Sequence, residues 1–294
     1  MSGELVLDIL LDAIKDSAIA FGVILVFEII LSFLKIKMKD ALEKHPKIAP
    51  LFGSLFGLIP QCGTSVLSAD LYLSHHISTG TLVAIFLATS DEAVPLLLTT
   101  GNTKALYLIP LLLLKIAIGF VFGFSIDLIL YKKEKLDLNE EVDTEDCHHI
   151  HHHHEDEEKE KSKVYKHLVH PLLHSLELLA YVFVINIAFG FLIGFVGEEN
   201  FAAFIETNKY LAPLFSSIVG LIPNCASSVV ISTLFINSHL SFGALLSGLL
   251  VNAGLGFIVL FKSKKHLKQT LLILLTCFII AVVSGYIACL ISGF

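Results

Sequence analysis

Hydrophobic residues in this chain run in long unbroken blocks. Ala18 to Leu34, Ala105 to Leu130 and Leu178 to Val196 carry at most one or two charges each. Each is near the roughly 20 apolar residues that a membrane-crossing helix needs. Several such blocks predict a polytopic membrane protein, because only helices and closed barrels satisfy their backbone in lipid. The blocks are continuous rather than alternating, which selects helices over a barrel. The expected fold class is an all-α integral membrane protein.

The pattern occurs twice. APLFGSLFGLIPQCGTSVLSADLYLSHHISTGTL begins at Ala49, and APLFSSIVGLIPNCASSVVISTLFINSHLSFGAL begins at Ala212. Pro60 and Pro223 share an offset of 163 residues with Gly80 and Gly243, and about half the positions are identical without gaps. Proline, cysteine, histidine and glycine fall in register, so the chain is a duplication. A weaker match needs an insertion; it pairs Asp16-Ser17 with His174-Ser175, and Glu28 with Asn186.

Each half reads as a long helix, two short apolar pieces around the Pro-Cys motif, an interrupted helix and a final long helix. The predicted units are a first membrane repeat (1–132), a disordered acidic and His-rich linker (133–163) and a second membrane repeat (164–294). The linker is too polar to bury a core. Ile48 to Pro60 and Ser65 to Leu73 are each too short to cross a bilayer. They form either one broken spanning helix or a re-entrant hairpin.

Loop charge bears on that choice, because Lys and Arg concentrate on cytoplasmic loops. The loop after the first helix holds Lys35, Lys37, Lys39, Lys44 and Lys47, whereas its counterpart holds Glu198, Glu199 and Glu206. The loop before the last helix reverses the bias: it is nearly neutral in the first half but carries Lys262, Lys264, Lys265 and Lys268 in the second. Opposite bias is expected of inverted-topology repeats. It requires an odd number of crossings between the two loops, which a hairpin plus one interrupted helix supplies. Both termini are then expected outside a plasma (inner) membrane, with the linker cytoplasmic.

Composition sharpens this picture. Of 294 residues, 55% are hydrophobic and 16% charged, with a mean hydropathy of +0.79. Soluble domains average about 25% charged residues. The net charge of −7 sits mostly in the linker and says little about partners. Cys62, Cys147, Cys225, Cys277 and Cys289 are an odd, widely spaced set, not a disulfide framework. No cleavable signal pattern and no Walker-type glycine loop is recognisable.

Three groups of residues carry candidate chemistry. In IPQCGTS and IPNCASS, proline blocks a helical hydrogen bond. Gln61, Cys62, Thr64 and Ser65, with Asn224, Cys225, Ser227 and Ser228, place polar atoms at the break. Paired interruptions in two repeats point to a transporter binding site; the alternative is a pair of kinked helices that satisfy their own backbone. Second, Ser90, Asp91 and Glu92 interrupt an apolar segment whose counterpart begins at Asn252. Adjacent carboxylates at membrane depth cost several kcal/mol unless paired, protonated or bound to a cation. Third, Cys147, His148, His149, His151, His152, His153 and His154 make the linker dense in imidazole, which suits weak multivalent metal capture; the alternative is a solvated low-complexity segment. Glu28 and Asn186 lie deep enough to line a pathway. Lys115 and Asp127 share one final helix, about three turns apart; they snorkel or pair with other helices, and neither is assigned as a ligand.

With GLIPQCG, ATSDE, GLIPNCASSVV and LSFGALLSGLLVNAG quoted from this sequence, the chain resembles the ten-helix heavy-metal exporter family, related by name to arsenic permeases. Some members are described as manganese transporters. The resemblance covers almost the whole chain outside the linker and implies metal-ion efflux. No cysteine pair resembles an arsenic-binding set.

The leading expectation is a secondary transporter that exports a divalent metal, Mn²⁺ before Zn²⁺ or Fe²⁺, by proton-coupled alternating access. Asp91, Glu92, Gln61 and Asn224 are the expected metal ligands, with Asn252, Ser90 and Ser65 as supplements. Manganese accepts carboxylate, carbonyl and water ligands. The metal is substrate; no cofactor is expected. The rival is a cation-coupled transporter of an organic or inorganic anion, held at helix N-termini. A third class is a metal-sensing or storage membrane protein. No nucleophile–base set suggests an enzyme. Expected partners are the lipid bilayer and the metal ion, with a homo-oligomer left open and no nucleic acid.

Overall fold

The computed structural model of the chain describes residues 48–59, 62–89, 93–99, 103–137, 208–223, 225–262 and 267–292, with isolated positions between 176 and 191. All regular structure among the described residues is helical.

In the first half, α1 spans Ala49–Gly57, α2 Cys62–Leu73, α3 Thr79–Ala88, α4 Ala93–Thr99 and α5 Leu108–Asp137, with a 3₁₀ turn at Thr103–Tyr107. In the second, a 3₁₀ turn at Lys209–Leu211 leads into α6 (Ala212–Gly220). There follow α7 (Cys225–Ile236), α8 (Phe242–Val251), α9 (Gly256–Lys262) and α10 (Leu267–Ser292). The two halves therefore repeat one element order. α5 continues to Asp137, so its last turn reaches into the segment expected as linker.

Local chemistry explains these bounds. α1 and α6 each begin with proline near N1 (Pro50 and Pro213), where a missing N–H removes no helical bond. Both stop just short of Pro60 and Pro223, because the residue before proline disfavours helix. α2 and α7 end in matching left-handed turns, at His75 (φ 57°) and Ser238 (φ 65°). There His76 N–H donates to the Leu71 carbonyl at 2.8 Å, and His239 N–H to that of Leu234 at 2.9 Å, a Schellman closure. Ser78 and Ser241 then cap α3 and α8, accepting from Thr81 N–H at 3.1 Å and Ala244 N–H at 3.4 Å.

Glycine contacts reveal the direction of each limb. A Cβ on Gly53 would lie 3.0 Å from the Ile85 side chain, and one on Gly57 2.6 Å from the Ile85 carbonyl and 3.0 Å from the Ala88 Cβ. α1 therefore runs alongside α3 in the same sense. Because α2 rejoins the start of α3 through a five-residue turn, the chain reverses between α1 and α2. Both limbs of this hairpin stay at the end of the bundle where α3 begins. α6 and α8 repeat the arrangement: Ser216 meets Gly248, and Gly220 meets Val251. These pairs are hairpins, not broken spanning helices.

Among the described residues, four segments are long and apolar enough to cross a membrane: Thr79–Leu98, Lys104–Leu130, Phe242–Lys262 and Leu267–Ser292. The two interrupted segments, α3–α4 and α8–α9, are 73% and 89% buried, whereas those of α5 and α10 are 22% and 33% buried. The interrupted helices thus form the core. The long helices turn apolar faces outward, through residues such as Leu113, Val121, Leu128, Leu275 and Ile279. The halves interlock: α2 packs against α9, and α7 against α4. Phe86 of α3 stacks edge-on against Phe257 of α9, at 5.0 Å between centroids. Tyr107, beyond the far end of α4, packs on Phe235 and Phe242 at the entry to α8.

Candidate functional site

Both interrupted helices break inside the buried core. α3 ends at Thr89, whose backbone is extended (ψ 129°). α8 ends at Asn252 (φ −77°, ψ 87°), and Gly254 takes a left-handed conformation (φ 54°) that side-chain-bearing residues rarely adopt. A continuous helix would give the Leu249 carbonyl to the N–H of Ala253. Here that N–H donates to Val251 at 2.9 Å instead, which releases the Leu249 carbonyl from the helical ladder.

Lys115 of α5 meets the two breaks. Its Nζ donates to the carbonyl of Leu249 at 2.7 Å and to the carbonyl of Thr89. The residue is 1% exposed. One ammonium thus joins the C-terminal ends of an interrupted helix from each half. Those ends carry the negative pole of the helix dipole. At the other end of α3, the Asp127 carboxylate accepts from Ser78 Oγ at 2.6 Å and from Gly80 N–H at 2.8 Å. α5 therefore holds α3 at both ends, anion at the N-terminus and cation at the C-terminus. Both residues pair with another helix, the second of the two roles open to them in the sequence, and Lys115 does not snorkel.

Around the breaks lie the first turns of α2 and α7. Thr64, Ser65, Ser227 and Ser228 are all buried there. Ser68 Oγ donates to the carbonyls of Thr64 at 2.7 Å and Ser65 at 3.0 Å. Gly256 presses on Ser65: a Cβ there would lie 2.8 Å from the Ser65 carbonyl and 2.9 Å from the Phe86 ring. This brings the tip of the first hairpin to the break of the second half. Asn252 is buried; its amide donates to Ser227 Oγ at 3.3 Å, and its Oδ1 accepts from Gly254 N–H at 3.1 Å. Ser227 Oγ in turn donates to the Ile222 carbonyl at 3.2 Å.

Of the sequence-predicted residues, Thr64, Ser65, Ser227, Ser228 and Asn252 thus gather at the breaks. Cys62 and Cys225 open α2 and α7. Gln61, Asn224, Ser90, Asp91, Glu92 and Glu28 lie outside the described residues, as do Cys147, His148, His149, His151, His152, His153 and His154 of the linker. Among the described residues no group of three or more His, Cys, Asp or Glu is gathered.

Sequence reasoning left Lys115 to snorkel or to pair with another helix and gave it no ligand role. The available signal was an ionisable residue deep in an apolar span, which is a functional candidate by default. The final helices share an offset of 162 residues, pairing Lys115 with Cys277 and Asp127 with Cys289. The second half thus replaces both charges with thiols: Cys277 is buried, and Cys289 Sγ lies 3.3 Å from Ser241 Oγ.

The wider comparison decides the family. A family model described as "Putative, 10TM heavy-metal exporter" matches residues 4–194 and again 175–293. The chain belongs to this exporter family. The two matched regions overlap and together run almost end to end, in keeping with the resemblance carried by the Pro-Cys motifs. No curated protein and no solved structure matches the chain. With four crossing segments among the described residues, it is a multi-pass membrane protein of a transporter family.

Proposed function

We propose that the chain exports a divalent transition-metal ion, Mn²⁺ before Zn²⁺ or Fe²⁺, as a proton-coupled secondary transporter working by alternating access. One observation carries the reading: both interrupted helices break at the same buried level, and the breaks present oxygen. Hydroxyls on the first turns of α2 and α7 and the Asn252 amide converge there, beside the Thr89 and Leu249 carbonyls that Lys115 holds. Oxygen donors suit manganese better than soft metals. Asp91 and Glu92 follow Thr89 directly in the chain and would add the anionic ligands and the exchangeable proton, with Gln61 and Asn224 completing the set from the hairpin tips.

Inverted repeats fit the same observations. α8 starts beside Phe235 and Phe242, against which Tyr107 packs after the first interrupted helix has ended. The entry to α8 thus lies at the end opposite to the entry of α3, in agreement with the reversed loop charge. The lysine-rich loops support a cytoplasmic linker.

The buried Lys115 ammonium and the hydroxyl-bearing N-termini of α2 and α7 favour a second reading, in which an anion is carried and the acids hold the coupling ion. Purified protein in liposomes separates the two, tested with Mn²⁺, Zn²⁺, Fe²⁺, phosphate and amino acids at two pH values. Metal flux driven by a proton gradient, lost at least tenfold in Asp91→Asn, is the expected result. Unchanged metal flux in that variant, or flux of phosphate alone, refutes the metal reading.

A further inference from the structure

α7 leads from the level of the breaks to the turn that precedes α8, so its first turn and Phe235 are separated by about 15 Å of helix. Ser228, Ser232 and Phe235 share one face of it, because positions three and four apart stack on a helix. All three are buried, at 1%, 0% and 3% exposure. Ser232 Oγ finds no hydrogen-bond partner among the described residues, although a buried hydroxyl left unpaired costs about 1–3 kcal/mol. One turn further on, Phe235 is covered. Tyr107, carried by the 3₁₀ turn that follows α4, packs on Phe235 at 5.5 Å and on Phe242 at 5.6 Å between centroids, and Phe235 and Phe242 meet at 6.4 Å. The Lys104 ammonium sits 4.5 Å from the Phe235 centroid. Tyr107 itself is 44% exposed, so the rings stand between the buried serines and the surface at this end of the bundle.

The matching end of the first half is built differently. At the offset of 163, Ser232 corresponds to Ala69, and Phe235 and Phe242 correspond to Tyr72 and Thr79. Thr79 Oγ1 donates to the Tyr72 hydroxyl at 3.4 Å, a polar contact in place of stacked rings. We propose that the face of α7 bearing Ser228 and Ser232 lines a passage from the breaks to the end where α8 begins, and that Tyr107, Phe242 and Lys104 hold Phe235 across it as a cap. A hydroxyl without a partner belongs where water enters once the path opens, and hydroxyls along it stand in for part of the hydration shell of a small ion. The Tyr107 ring comes from the first half and the Phe235 and Phe242 rings from the second, so a movement that parts the halves at this end lifts the cap. What passes is the cargo of the break site, and to that extent the inference rests on the transport reading above; on the loop-charge topology this is the outer exit.

The test uses neither cargo nor membrane sidedness, so the cap can fail it while export stands, and pass it if export fails. Ser232→Cys is purified in detergent and treated with a cationic, water-soluble methanethiosulfonate, and the modified positions are read by mass spectrometry. Native Cys277, buried in α10, is the internal standard for loosening of the whole bundle. Position 232 should react slowly in this variant. Adding Tyr107→Ala should speed it about tenfold or more, since two ring contacts are lost, while Cys277 stays protected; adding Tyr107→Phe should leave it slow. Lys104→Ala, which removes the ammonium over the ring, should speed it about two- to fivefold, and it decides the matter if Tyr107→Ala is not recovered folded. The inference is overturned if position 232 reacts fast before the cap is altered, if neither Tyr107→Ala nor Lys104→Ala speeds it, if Tyr107→Phe acts as Tyr107→Ala does, or if Cys277 accelerates by the same factor.

Discussion

Replacing Asp127 with alanine should destabilise the first half far more than the matching change in the second. The Asp127 carboxylate accepts from Ser78 Oγ at 2.6 Å and from Gly80 N–H at 2.8 Å. Ser78 caps α3 and Gly80 lies in its first turn, whose N–H groups have no partner inside the helix. Hydrogen bonds to a charged group contribute about 1.5–3 kcal/mol each in soluble proteins. Polar contacts between membrane helices average nearer 0.6 kcal/mol. Asp127 is half-buried, so two such bonds plus the dipole interaction come to about 2–3 kcal/mol. In the second half, the residue matching Asp127 is a thiol, and Cys289 Sγ meets Ser241 Oγ at 3.3 Å, a weak pair worth under about 1 kcal/mol. At about 2–4 °C per kcal/mol, Asp127→Ala should lower the unfolding temperature in detergent by roughly 5–10 °C. Cys289→Ala should lower it by no more than roughly 3 °C. Light scattering with intrinsic tyrosine fluorescence reads both. If the two variants unfold together, or if Asp127→Ala unfolds with wild type, the charge clamp on α3 does not exist.

Two further outcomes follow from the packing. Gly80→Ala places a Cβ against the Gly123 carbonyl and the Asp127 carboxyl, so α3 and α5 must separate; a loss of about 3 kcal/mol or more should show as a reduced monodisperse fraction on size exclusion, and a normal profile would contradict this helix contact. Phe86 and Phe257, stacked across the halves at 5.0 Å, should show a coupling of about 0.5–1.5 kcal/mol in a Phe→Leu double-mutant cycle read by unfolding, and strict additivity would place the two rings apart.

Much of this architecture is written locally. Proline after a short apolar run ends α1 and α6, serine starts α3 and α8, and the paired breaks announce themselves because they occur twice. The hairpins emerge from charge parity across loops, a global constraint that a single sequence still carries. Lys115 is different. Whether a lysine in an apolar helix reaches outward or inward depends on what faces it, and here that is a backbone carbonyl 134 residues away. That carbonyl is available only because Ala253 turns its N–H to Val251, a detail of backbone geometry that no side-chain pattern records. Asp127 is obscured similarly, since its counterpart is a cysteine and the repeat looks broken at that position.

The unequal fastening of the two interrupted helices has a mechanical consequence. α3 is riveted to α5 by a negative group at its head and a positive one at its foot. α8 rests on α10 through glycines, serines and a thiol, and among the described residues a charged tie reaches it from the other half. If such a molecule rocks, the stiffer portion serves as the frame and the looser one as the pendulum. On the alternating-access proposal, helices α1 to α5 would be the frame, and the Lys115–Leu249 link the catch that opens at each swing.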